Sequence, residues 1–273
     1  QESRIYQAGD DIRSMDWRVT ARAGKPHTKL YQEERERPVV LLVDFAPSMF
    51  FGSVKALKSV VAAQVAALIG WATANKGDRV GALLINGDHK EIAPKMGKRG
   101  ALNLIRELVK FSHPEKGLAV RAGSSHLNDE LQRLRRIARP GSLVFLISDF
   151  YSINEETQRH LLRLRQHNDL VAIQILDPLE ISAPPAGRYA VTDGDQEGIL
   201  DTQSKLSQQR YDAYFNQHHA VLNEMMRKNK IPLLTISTAD DVPTRLQSYF
   251  SVAKRQSVSM AKASNANKNK KVA

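Results

Sequence analysis

The strongest constraint on the fold is a set of short, unbroken apolar runs spread along the chain. VVLLVDF (39–45), RVGALLIN (79–86), SLVFLIS (142–148), LVAIQIL (170–176) and IPLLTIS (231–237) are rich in Val, Ile and Leu and do not alternate with polar residues. Strands of that kind are covered on both faces, as in a parallel sheet. Segments with helical character lie between and after them, at 54–74, 99–111, 126–138, 154–167, 203–229 and 242–250. Gly52 and Ser53 read as the start of the first of these, which is apolar nearly all round and is expected to be buried. The alternation predicts an α/β domain with a mostly parallel sheet and right-handed crossovers. With 273 residues and 42% apolar content, the chain can bury a substantial core.

The flanks differ from this core. Residues 1–38 are crowded with charge, and WRVTAR and HTKLYQEE, joined by AGKP, predict a β-hairpin. A second small hairpin is expected in RYAVTDGDQEGILDT, turning at Asp193 and Gly194. Residues 253–273 are rich in Lys, Asn and Ser, and part of the net charge of +11 gathers there. No aromatic is interleaved for base stacking, which favours a solvated tail over a nucleic-acid-binding arm. The expected organisation is therefore a charged segment with a hairpin (1–38), one α/β domain (39–252) and a basic tail (253–273).

The longest apolar stretch, at 60–74, carries Gln64 and is shorter than the ~20 residues a bilayer core requires, so no transmembrane segment is expected. No signal peptide is read, and a cytoplasmic location is expected. The chain opens on QESRIYQ without Met, as it would if an N-terminal piece had been removed. The absence of cysteine excludes disulfides, thiolate zinc sites and cysteine nucleophiles.

Open α/β sheets bind ligands beyond the carboxyl ends of their strands, where strand order reverses. Asp44 ends one apolar run and Asp149 another; Ser48 shares a loop with Asp44, and Ser124 and Ser125 precede a helix. If these loops converge, they form an all-oxygen set suited to a hard cation such as Mg²⁺. Each residue also has a plainer role: Ser124, Ser125 and Ser53 as helix caps, the acids as turn residues.

Enzyme motifs are poorly represented. A phosphatase of the haloacid dehalogenase type needs a second Asp where Ala46 stands. The GKP at 24–26 lacks the first glycine of a P-loop and has Pro26 in place of Ser or Thr. There is no G-x-S-x-G and no H-E-x-x-H, and His218 and His219 have no partner at useful spacing, which makes them surface or capping residues.

RIYQAGDDIRSMDWRVTAR, KLYQEERERPVVLLVDFAPSM and GDRVGALL closely resemble the bacterial DUF-58 family, from Arg4 to about residue 250. The resemblance implies a von Willebrand factor A-like (Rossmann-like) sheet flanked by helices. It also implies a metal-ion-dependent adhesion site falling on Asp44, Ala46, Ser48, Ser125 and Asp149. Ala46 lacks the expected hydroxyl, Ser125 keeps that of the usual Thr, and His126 stands where an acid is frequent. Such a site is partly degraded, with weakened Mg²⁺ affinity. The family further implies a MoxR-type AAA+ ATPase as partner, and thus a non-enzymatic, adaptor or chaperone-like interaction module with an unidentified client. Two alternatives stay open: a binder of nucleic acid or anionic surfaces, and a metal-assisted hydrolase using Asp44 and Asp149. Asp10, Asp11, Arg13, Asp16 and Arg18 form either a docking surface or a structural ion-pair network, with Trp17 as a packing anchor.

Overall fold

A computed structural model describes residues 2–7, 10–30, 37–115, 127–192 and 197–251. The basic tail, Ser124, Ser125, His126 and the turn at Asp193 and Gly194 lie outside the described residues. The chain forms two compact units, Gln1–Glu36 and Arg37–Ala273.

In the first unit, β1 (Glu2–Ile5) pairs antiparallel with β2 (His27–Leu30). The antiparallel pair and the strand in HTKLYQEE are as expected, but the other strand is corrected: WRVTAR lies in helix α1 (Trp17–Ala23), and Glu2–Ile5 takes its place. The ends of α1 explain why. The Asp16 side chain accepts from the Val19 N–H at the N-terminus, and Gly24 closes the C-terminus in the left-handed region, at φ 66°. The glycine of AGKP thus ends a helix instead of turning a hairpin.

The second unit is built on a six-stranded sheet in the order β10-β7-β6-β3-β4-β5. Its members are β3 (Val39–Asp44), β4 (Arg79–Asn86), β5 (Asp88–Met96), β6 (Leu143–Ser148), β7 (Asp169–Leu176) and β10 (Leu233–Ser237). All neighbours are parallel except β4 and β5. Alternate β3 residues serve opposite faces. Leu41 and Val43 join the core beneath α2 (Lys58–Asn75), α3 (Gly97–Phe111) and a closing helix at 242–251. Val40 and Leu42 join the core beneath α4 (Leu127–Ile137), α5 (Glu155–Arg165) and α6 (Lys205–Lys228). This is the three-layer α/β architecture that continuous apolar strands require.

The small expected hairpin is present as β8 (Arg188–Thr192) paired with β9 (Glu197–Asp201). The antiparallel edge strand β5 was not anticipated. It buries only Ile92 fully and carries Pro94, a pattern that edge strands tolerate and that hides them from periodicity.

The first long helix begins later than expected, at Lys58. Ser53 does not cap it: the Ser53 N–H donates to Asp177 Oδ2 at 2.8 Å, and its hydroxyl donates to Asp177 Oδ1. A Cβ on Gly52 would lie 2.3 Å from the Ala56 carbonyl oxygen, so this tight loop admits only glycine there. The Lys58 N–H closes the loop on the Phe51 carbonyl at 2.8 Å.

Candidate functional site

The chain runs outward from β3 to β4 and β5, then returns to β6 on the other side of β3. The β3/β6 boundary is therefore the switch point, and both expected acids sit at its carboxyl edge. Asp44 is the last residue of β3, and Asp149 follows Ser148, the last of β6. Both are buried, at 7% and 2% exposure.

The two acids are held differently. Asp44 Oδ1 accepts from the Ala46 N–H at 2.8 Å and Oδ2 from the Ser148 hydroxyl at 2.6 Å. Burial, with Asp149 as a second negative group, pushes the Asp44 carboxyl up to about 6. Asp149 Oδ1 accepts from the Tyr151 N–H at 3.1 Å, while Oδ2 faces the Lys58 ammonium at 3.0 Å. Phe150, between them, adopts φ 58°, uncommon for a bulky side chain. Its buried ring and its N–H bond to Ser148 Oγ at 2.9 Å hold that conformation.

Lys58 is the residue that sequence reasoning missed. It opens α2 and has a fully buried side chain. Its ammonium also donates to Glu180 Oε1 at 2.5 Å and lies 5.3 Å from the centre of the Tyr151 ring. Burial favours the neutral amine, but Asp149 and Glu180 together outweigh it and raise the Lys58 pKa above its ordinary value. The ammonium is thus held charged.

A further layer fixes these groups. Glu180 Oε2 accepts from the Asp177 N–H at 2.9 Å, closing a capping box around a short 3-10 turn. Asp177 itself is fully buried and accepts from Thr238 Oγ1 at 2.7 Å and the Leu179 N–H at 3.0 Å, besides Ser53. Burial alone would raise the Asp177 pKa, but the Ser53 and Thr238 hydrogen bonds bring it below the ordinary value.

His218 and His219 are corrected from surface or capping residues to parts of this surround. The His218 ring stacks on Tyr151 at 4.8 Å between centroids. His219 Nε2 donates to the Glu180 carbonyl at 3.0 Å, and Gln174 Nε2 donates to His219 Nδ1 at 3.2 Å. Those partners select the Nε2–H tautomer.

Ser48 lies in a 3-10 turn (Pro47–Phe50) just after Asp44 and is exposed. As arranged, these groups do not fit a divalent ion. Ala46 contributes only an N–H, the Asp44 oxygens both accept hydrogen bonds, and one Asp149 oxygen is taken by an ammonium. Among the described residues, no group of three or more His, Cys, Asp or Glu is placed to hold a metal.

Three of the N-terminal acids support their own unit. Asp10 pairs with Arg4 at 2.6 Å and accepts from the Gln7 N–H at 2.9 Å. Asp11 accepts from the Arg13 N–H at 3.0 Å, and Asp16 caps α1. Arg13 and Arg18 are exposed. Trp17, expected as a packing anchor, is 67% exposed.

The doubly wound order, the antiparallel edge and the acids at the switch point define a von Willebrand factor A-like domain. The chain belongs to the family described as "Protein of unknown function DUF58", matched over residues 2–221. It is 31% identical over 246 residues to the uncharacterized protein Rv1480 of Mycobacterium tuberculosis, covering 88% of this chain and 74% of that one. An uncharacterized protein of Mycobacterium bovis, Mb1516, matches to the same extent. Among solved structures, an aerotolerance-related membrane protein from Bacteroides fragilis aligns over 78% of this chain and 96% of that chain. Its TM-score is 0.50 at 11% identity, a likeness of fold alone.

Proposed function

We propose that this chain is a non-enzymatic protein-interaction module, an adaptor or chaperone-like partner of a MoxR-type AAA+ ATPase. The observation that supports this best is the internal engagement of its acids. Asp44 and Asp149 converge as a catalytic pair would, yet their oxygens are occupied by backbone N–H groups, Ser148 and Lys58. That engagement restrains both carboxylates and supports an interaction role over nucleophilic or general-base chemistry.

On this reading the candidate residues Asp44, Ser48, Ser125 and Asp149 derive from an adhesion site in partly degraded form. The exposed Ser48 and Phe51 offer the contact edge. In the N-terminal unit, the exposed Arg13, Arg18, Trp17 and Ile12 offer a second docking surface. A cytoplasmic location belongs to the same proposal; no described helix is long and apolar enough to cross a membrane.

The test is direct binding between the full chain and the purified MoxR-type ATPase of the same organism, with and without nucleotide. Saturable binding that is weakened by Ser48→Arg or Trp17→Ala supports the proposal. Absence of binding in every nucleotide state, or phosphoester turnover abolished by Asp44→Asn, overturns it.

A further inference from the structure

A buried carboxylate needs hydrogen-bond donors or a compensating cation, because desolvating an isolated charge is far costlier than pairing it. Asp149 and Glu180, at 2% and 6% exposure, have such a cation in Lys58.

The environment of Lys58 is a built one. Two carboxylates accept from its ammonium, at 3.0 and 2.5 Å, and the Tyr151 ring lies beside it. Tyr151 is held in turn by its stack on His218. The carboxylates come from the loop after β6 and from the 3-10 turn after β7, while Lys58 comes from the start of α2. A divalent ion bound to Asp149 would have to displace the ammonium or share its carboxylate, and charge repulsion opposes sharing.

We propose that the Lys58 ammonium is the permanent cation of this site, taking the place that a divalent metal holds in the motif the Asp44 loop resembles. A cation carried on the chain cannot be removed by a chelator and does not vary with metal supply. The site's charge is thereby fixed and its loops held in one arrangement in the absence of metal. The inference concerns this charge and stands or fails separately from the identity of any partner.

The test uses the full chain and Mn²⁺ alone as the probe. Calorimetric titration of the wild type is expected to show no saturable binding, and its melting temperature to be the same in Mn²⁺ and in EDTA. Lys58→Ala frees Asp149 and opens space beside it, and is expected to gain saturable Mn²⁺ binding, at least about tenfold tighter than any wild-type affinity. Saturable wild-type binding that Asp149→Asn abolishes overturns the proposal. A folded Lys58→Ala protein that binds no Mn²⁺ also overturns it. If that variant does not fold, amine acylation of the native wild type decides. Lys58 that stays unlabelled with and without Mn²⁺ supports the proposal, and Lys58 that becomes labelled on adding Mn²⁺ contradicts it.

Discussion

The Lys58 ammonium and the Asp149 carboxylate meet at 3.0 Å with both side chains withdrawn from solvent, joining the start of α2 to the end of β6 across the switch point. Breaking one side of such a pair leaves the other charge buried and uncompensated. Lys58→Ala is therefore expected to cost about 3–5 kcal/mol in urea unfolding. Adding Glu180→Gln to that variant is expected to recover part of the loss, because both changes act on one charge cluster. Simple additivity would show that the cluster is not coupled.

Asp44 gives a prediction with a defined pH window. Burial and the neighbouring Asp149 push its carboxyl up to about 6 in the folded chain, from an ordinary value of 3.8. A raised carboxyl pKa means that the folded state binds the extra proton. The stability contribution is present at low pH, declines as pH rises from about 4 to about 6, and is absent above that. Asp44→Asn is thus expected to be more stable than wild type at pH 7.5, by on the order of 2 kcal/mol. That gain should shrink towards pH 4. Melting curves of both proteins across this range check it, and a gain independent of pH would contradict it.

Asp177 acts through packing of polar groups. It satisfies Ser53, Leu179 and Thr238, which lie in three separate segments. Asp177→Ala is expected to cost about 2–4 kcal/mol, through lost bonds and orphaned buried donors. Hydrogen exchange should show faster opening of residues 51–57 in this variant.

Ala46→Ser tests whether Ala46 or Lys58 limits cation binding beside Asp44. With Lys58 in place, the added hydroxyl is expected to leave Mn²⁺ binding undetectable by calorimetry. In the Lys58→Ala background the same change should tighten binding, since an oxygen ligand is added to a vacated carboxylate. Tight binding by Ala46→Ser alone would show that Ala46, and not Lys58, limits the site.

In the N-terminal unit, Asp16→Ala removes the side-chain cap of α1 and is expected to cost about 1 kcal/mol of local helix stability. Amide exchange at residues 19–23 measures it directly.

Much of this architecture is written in local pattern. The continuous apolar runs identify the parallel strands, and strand ends locate Asp44 and Asp149 at the crevice. The polar edge strand β5 escapes because one fully buried side chain, Ile92, sets no period. Helix α1 escapes because Gly24 serves helix ends and hairpin turns alike, although Asp16 at the other end signals a cap. Lys58 escapes for a different reason. Its partners Asp149 and Glu180 lie 91 and 122 residues further along, and no local rule links them. The available signal was a single Lys opening the longest apolar helix stretch of the chain. Ser125 lies outside the described residues, so its relation to the other candidate residues rests on the resemblance.

A crystal structure of the full chain, grown or soaked in Mn²⁺ with anomalous data collected, tests the central claim most directly. The expected result is Lys58 Nζ lying between Asp149 and Glu180, with no anomalous peak among Asp44, Ser48 and Asp149. An anomalous peak there, with the Lys58 side chain turned away from Asp149, would contradict it.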